Sequence, residues 1–315
     1  MIKYIIKIVF ILLLVNSISF AQYYQLMPKV GGINWTEQVV RSTGLGSPNP
    51  NMPPGSRRAG AIEAAKMAAR KNMLAVISGI SVNANATISD LMAGDADFEA
   101  EIENIARNFR IIDTRYMQTG AIEVDVEVPL SALYAVLPAS EYEMPTGKYV
   151  QIPSQQQFHG QQPQTSGTSN AFKQRSVTPS DPAGGLSSLG LGQTGGSSGS
   201  LDSGYTGLII DARGLSITPA LAPSLIDENG HIVYASGSLS GGMMSETGMV
   251  IYERDMNRAD DNILVSGRPL IITAVRADGA TGSDIILRNA DADKVWQSLV
   301  NFNFLAQGKV LIVIN

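Results

Sequence analysis

Apolar positions recur at helical spacing from Ala59 to Val76. Ile62, Ala65, Ala69, Met73 and Val76 share one face and predict an amphipathic helix. Glu63, Lys66 and Arg70 share another face, at spacings that allow ion pairs. Ser56 is the expected N-cap, with Pro53-Pro54-Gly55 barring an earlier start. The period then changes to two. Ile80, Val82, Ala84, Ala86 and Ile88 alternate with Ser81, Asn83, Asn85 and Thr87. Ile122, Val124, Val126 and Val128 alternate with Glu123, Asp125 and Glu127, and a strand from Phe109 to Tyr116 leads into them through the hairpin signal Gln118-Thr119-Gly120. Asp95 to Asn108 reads as a second helix, with Phe98, Ile102 and Ile105 inward and Glu99, Glu101 and Glu103 outward. Strands with one apolar and one wet face imply an antiparallel sheet covered on one side by a helix.

Before the first helix, Trp35 to Thr43 predicts a short strand, and Gly44-Leu45-Gly46 a glycine-containing exit from it. No Lys-Ser/Thr follows those glycines, so they are not a phosphate loop. A Pro-rich loop then leads into the helix. From Glu143 to Gly204 the chain is poor in aliphatics and rich in Gln, Ser, Gly, Thr and Pro, the composition of a flexible linker, and His159 falls within it. Beyond it, strands are expected at Leu208–Asp211, Ser224–Asp227, His231–Tyr234, Gly248–Tyr252, Leu270–Arg276 and Asp284–Leu287, with Asn229-Gly230 as a turn. Ala292, Val295, Trp296, Leu299 and Val300 trace a helix face that Asn289 or Asp291 would cap. Gly308 precedes the apolar run KVLIVI, a buried strand. The expected fold class is α+β: two small domains, each a mainly antiparallel sheet with a packed helix, joined by a low-complexity linker. The expected boundaries are a signal segment at 1–21, a first domain at 22–142, the linker at 143–204 and a second domain at 205–315.

The signal segment rests on Lys3 and Lys7, the apolar run Ile8 to Val15, and the small-x-small site Ser19-Phe20-Ala21, which gives Gln22 as the expected mature start. No later segment is long and apolar enough to span a bilayer. The expected location is periplasmic, secreted or associated with the outer envelope. A formal net charge of −5 over 315 residues offers no electrostatic footprint for nucleic acid. The chain has 0 Cys, which removes disulfides, thiol nucleophiles and Cys-based metal sites.

The run RAGAIEAAKMAARKNMLAVISGISVNANATI, followed by IIDTRYMQTGAIEVDVEVPLSALY, is similar to a bacterial exported group. That group holds the lipoprotein-twenty family and the N-terminal domain of flagellar assembly protein T. The shared features are an Ala-rich helix, the exit Ser78-Gly79-Ile80, and the later hairpin. The resemblance covers residues 57–134 or so, and its motifs are structural. It implies envelope or flagellar proteins as partners and carries no catalytic residue across. The lipoprotein members have a lipidated Cys, which this chain lacks. The phrase TGLIIDARGL…PALAPSLIDENGHIVY also resembles a segment of uncharacterised exported bacterial proteins, which implies no reaction.

Candidate chemistry is sparse. Glu123, Asp125 and Glu127 share one sheet face, and paired carboxylates are what glycosidases use. With Arg110 and Arg115 on the neighbouring strand, the favoured reading is a solvated face with cross-strand ion pairs. Glu99, Glu101 and Glu103 sit two apart on a helix and so diverge. Asp211 and Arg213, at a strand end before Gly214, are either a polar-ligand site or a structural ion pair, the latter favoured. His231, after the Asn-Gly turn, is expected to be exposed. The sequons at Asn34 and Asn85 are short enough to occur by chance. No Gly-x-Ser-x-Gly elbow, His-Glu-x-x-His helix or P-loop is present. No catalytic, cofactor or metal residue is assigned. The expectation is a non-enzymatic exported envelope protein that binds other proteins in assembling or stabilising a surface structure, in its sharpest form the flagellar basal body. The alternative is a secreted glycan-binding protein or glycan hydrolase, the latter drawing a carboxylate pair from Glu123, Asp125 or Asp211. For the glycan-binding form, Trp35 and Trp296 are the aromatics available, and Trp296 is expected in the core.

Overall fold

Two glycines set the packing of the first half. In the computed structural model, strand β3 (Val39–Gly46) runs beneath helix α1 (Pro54–Ser78). A methyl group on Gly44 would lie 2.1 Å from the Ala65 carbonyl oxygen, and one on Gly46 would lie 2.0 Å from that of Ala61. Only hydrogen fits there. The helix answers with fully buried Ala61, Ala65 and Ala69, so backbone rests almost on backbone. Ser42 Oγ donates to the Ala69 carbonyl at 2.9 Å, and Asn72 Nδ2 donates to the Thr43 carbonyl at 2.7 Å. The glycines expected to close a strand are thus inside it, as the seat of the helix. The helix also starts earlier than expected. Pro53 is its N-cap without a side-chain bond, and Pro54 occupies the first turn, where a missing N–H leaves nothing unsatisfied. Ser56 is therefore inside the helix, and Ala61 takes the fully buried place expected of Ile62.

The structure describes residues 22–138, 204–235, 238–239, 248–299 and 303–315; the expected signal segment and residues 143–203 of the expected linker, His159 among them, lie outside these. The first sheet adds β1 (Tyr24–Met27), β2 (Gly31–Asn34), β4 (Arg110–Tyr116) and β5 (Ile122–Pro129), in the order β1-β2-β3-β5-β4, antiparallel throughout. Trp35 turns out of β2 into the core, so the expected Trp35–Thr43 strand is divided by a turn in which Gln38 has φ 57°. Helices α2 (Ile88–Gly94), α3 (Ala96–Arg107) and α4 (Leu130–Tyr134) complete this half. Asp95 caps α3 by accepting from Asp97 N and Phe98 N.

The alternating stretch from Ile80 to Ile88 is not a strand. Asn83 Oδ1 accepts the N–H groups of Asn85 and Ala86, and the Ala86 carbonyl accepts from Val82 N at 2.9 Å. A short polar side chain here outcompetes the ladder for the backbone donors. Thr87 and Asp90 then close a capping box that starts α2.

In the second half, β6 (Leu208–Asp211), β9 (Ile251–Glu253), β10 (Leu270–Thr273) and β13 (Val310–Val313) form a parallel sheet in the order β10-β6-β13-β9. The unbroken apolar runs of β6 and β13 suit strands buried on both faces. Leu208, Ile210, Val310 and Ile312 join the main core, while Ile209, Leu311 and Val313 pack with Ala259 of α5 (Met256–Asp261) and with Val265. A mixed sheet, β11 (Arg276–Asp278), β12 (Asp284–Leu287), β7 (Leu225–Asp227) and β8 (Ile232–Tyr234), lies with α6 (Asn289–Ser298). The N-cap of α6 is Arg288, with no side-chain bond; Asp291 instead pairs with Lys294 at 2.7 Å. The fold class is α+β.

The described residues of both halves belong to one compact unit, and one continuous apolar cluster runs through them. The joint is the Ile80–Ala86 loop. Its Ser81 and Val82 carbonyls accept from Leu221 N and Ala222 N at 2.9 and 2.7 Å, and its Ala84 and Asn83 carbonyls accept from Thr281 N and Oγ1 at 2.9 and 3.0 Å. Elsewhere Thr36 Oγ1 donates to the Tyr252 carbonyl at 2.8 Å, and the Trp35 and Tyr252 rings meet edge to face at 5.3 Å.

Candidate functional site

The carboxylates of β5 were the leading catalytic candidates, and the sheet places each beside an arginine. Register sets Glu123 opposite Arg115, Asp125 opposite Asp113, and Glu127 between Arg110 and Arg41. Arg115 binds Glu123, reaches Asp125 Oδ2 at 2.6 Å and Asp113 Oδ2 at 2.9 Å. Glu127 accepts from Arg110 and, at 3.1 Å, from Arg41 Nε. Thr43 Oγ1 donates to Asp125 Oδ1 at 2.7 Å. All of these lie on the sheet face turned away from α1. Burial alone would raise the Glu127 carboxyl, but the hydrogen bonds from Arg110 and Arg41 outweigh it and hold it below the usual glutamate range. Arg115 is held still more firmly as a cation by the hydrogen bonds it donates to Glu123 and Asp125. A general acid needs a carboxyl that keeps its proton near neutrality. Glu127 is shifted the other way.

Asp211 and Arg213 close on each other. Arg213 Nε and Nη2 meet the two carboxylate oxygens at 2.8 and 2.7 Å, and Arg213 N adds a third bond at 3.2 Å. The guanidinium lowers the Asp211 carboxyl below its ordinary value. Gly214, with φ 81°, turns the chain away. The bidentate fork that would recognise a ligand carboxylate is filled by the chain's own.

His231 is half exposed, and its Nδ1 lies 2.8 Å from Oδ2 of the buried Asp227. Asp227 Oδ1 also accepts from Asn229 N and His231 N at 2.9 and 2.7 Å. That carboxylate organises the β7–β8 turn, and no group of three or more His, Cys, Asp or Glu able to hold a metal occurs among the described residues. Glu99, Glu101 and Glu103 stay on the surface of α3, where Glu103 meets Arg70 and Arg107.

Sequence reasoning missed two features. Glu253, at the end of β9, is buried; desolvation raises its carboxyl above the usual value, against Arg258 and the Thr36 hydroxyl. Its signal was a lone acid ending an apolar strand. The other is an open cavity of about 390 Å³ at the start of β6, lined by Tyr205, Thr206, Ile263, Leu264 and Lys309 among others. Its Thr206 hydroxyl is already engaged by Val265 O and Arg268 N. Trp35, an aromatic available for glycan stacking, is fully buried with its Nε1 on Gln25. Trp296, expected in the core, is partly buried against it.

Residues 207–315 match the family model for Treponema pallidum Tp0624, second domain. The matched stretch runs from just before β6 through β13 and so contains Asp211, Arg213 and His231. No curated protein matches the chain.

Proposed function

We propose that this chain is a non-enzymatic, exported cell-envelope protein that binds other proteins in building or stabilising a surface structure. The flagellar basal body is the sharpest form of that reading. The observation that carries it is the fate of the candidate charges. Glu123, Asp125, Glu127 and Asp211 are each satisfied by an arginine of the same chain. Paired in this way, they set the shape and charge of a surface rather than converging on a substrate. The match to a Treponema pallidum domain supports a bacterial setting, and the signal-like segment supports export. No helix among the described residues is long and apolar enough to cross a membrane.

The experiment is in-cell cross-linking of the tagged protein, followed by mass spectrometry of what it captures from the envelope. Enrichment of components of one surface structure is the expected result. A protein recovered alone from the soluble exported fraction overturns the reading. The alternative, a glycan hydrolase, requires peptidoglycan cleavage that Glu123→Gln, Asp125→Asn or Asp211→Asn abolishes. The expected result is no cleavage by the unaltered protein.

A further inference from the structure

The edge strand β4 combines features that a monomer rarely leaves together. It closes one side of the first sheet, and no described strand pairs with its outer edge. Four large apolar residues on it or just after it are exposed: Ile111 by 43%, Ile112 by 41%, Tyr116 by 58% and Met117 by 40%. Met117 N bonds inward to Ala121 O, so by antiparallel alternation Tyr116 and Thr114 turn their backbone groups outward. Among the described residues the Thr114 N–H meets only Asp113 Oδ1, at 2.8 Å, an exposed contact from its own neighbour.

Charge then selects a partner. We propose that β4 pairs antiparallel with β4 of a second copy of this chain, in the register centred on Thr114. This register sets Thr114 opposite Thr114, a hydrogen-bonded pair made of two outward-facing residues. It sets Asp113 opposite Arg115 on both sides of the two-fold axis. The bulge interrupts the regular ladder beyond Asp113, and the exposed Tyr116 and Met117 of each copy lie near Ile111 and Ile112 of the other, so apolar residues meet apolar residues. The neighbouring registers fail on charge: centring on Asp113 opposes two aspartates, and centring on Arg115 opposes two arginines. The second copy's Arg115 also relieves a local excess of carboxylate, because Asp113 shares its own Arg115 with Glu123 and Asp125 and the pairing brings it a second guanidinium. The bulge between Ile111 and Asp113 bends the strand and confines the ladder to its C-terminal part. The contact is small, so association is reversible and weak. The proposal does not depend on where the protein resides.

The chain's lack of cysteine makes the register directly testable. Opposed residues of a hydrogen-bonded antiparallel pair have Cα atoms about 5.5 Å apart, within disulfide reach. Thr114→Cys under mild oxidation is expected to give a covalent dimer at least tenfold faster than Met67→Cys, a control on the exposed face of α1. Sedimentation equilibrium is expected to show concentration-dependent dimers that Thr114→Pro abolishes, with circular dichroism unchanged because that N–H does not serve β5. Equal cross-linking of the two cysteine variants, or a Thr114→Pro protein that associates like the unaltered one, overturns the proposal.

Discussion

At the scale of single residues, Gly44 and Gly46 set how closely α1 approaches β3. Gly44→Ala forces a methyl onto the backbone of α1, with Ala65 O at 2.1 Å and Ala69 N at 2.2 Å, and neither is the end of a flexible group. Urea unfolding is expected to show a loss of about 3 kcal/mol, the upper part of the overpacking range. Unchanged stability would mean that α1 can lift without consequence. Glu253 gives a pH prediction of definite sign. Its folded carboxyl titrates above its ordinary value because burial disfavours the charge. Stability from this group is therefore full below the unfolded glutamate pKa, about 4.3, and is lost as pH rises through the folded value. Glu253→Gln removes that loss, so the variant is expected to gain stability relative to the unaltered protein as pH rises above the unfolded glutamate value of about 4.3 and to show no gain below it. A variant whose disadvantage grows with pH contradicts the burial argument.

At the scale of elements, periodicity was legible where a side of the element faces a core and misleading where side chains bond the backbone. The spans of β5 and β6 follow their apolar spacing closely, and α1 keeps its buried face while starting earlier, at Pro54. The alternation from Ile80 to Ile88 is as regular, yet Asn83 folds that stretch into a loop, and its carbonyls serve the other half of the chain. No local pattern announces a partner more than a hundred residues away. The charged site was legible in part. Arg110 and Arg115 were placed beside the β5 carboxylates by hairpin register alone, whereas Arg41 joined Glu127 through β3, whose position depends on the two glycines. Glu253 stayed hidden because one of its partners, Thr36, comes from the first half. The joint itself can be tested. Thr281→Val removes the hydroxyl that donates to Asn83 O. A loss of about 1–2 kcal/mol is expected, with faster amide exchange at Leu221 and Ala222 on the opposite side of the same loop. Faster exchange confined to Thr281 would show that the loop contacts act separately.

At the scale of the whole molecule, the central claim is that two halves read as separate domains fold as one body. A shared apolar cluster, three backbone bonds and one side-chain bond at the Ile80–Ala86 loop, and the Trp35–Tyr252 contact all predict a single cooperative transition. The chain carries 2 Trp, and they fall one in each half, at Trp35 and Trp296. The most direct measurement is therefore urea unfolding followed by fluorescence in two single-tryptophan proteins, Trp296→Phe to watch Trp35 and Trp35→Phe to watch Trp296. Each is read against circular dichroism of the same protein, so that any stability change from the substitution cancels. The account predicts that fluorescence and circular dichroism coincide in midpoint and slope for both proteins. A Trp296 signal that is lost at a different urea concentration from the secondary structure of the same protein would contradict it, and would return the chain to two domains that merely touch.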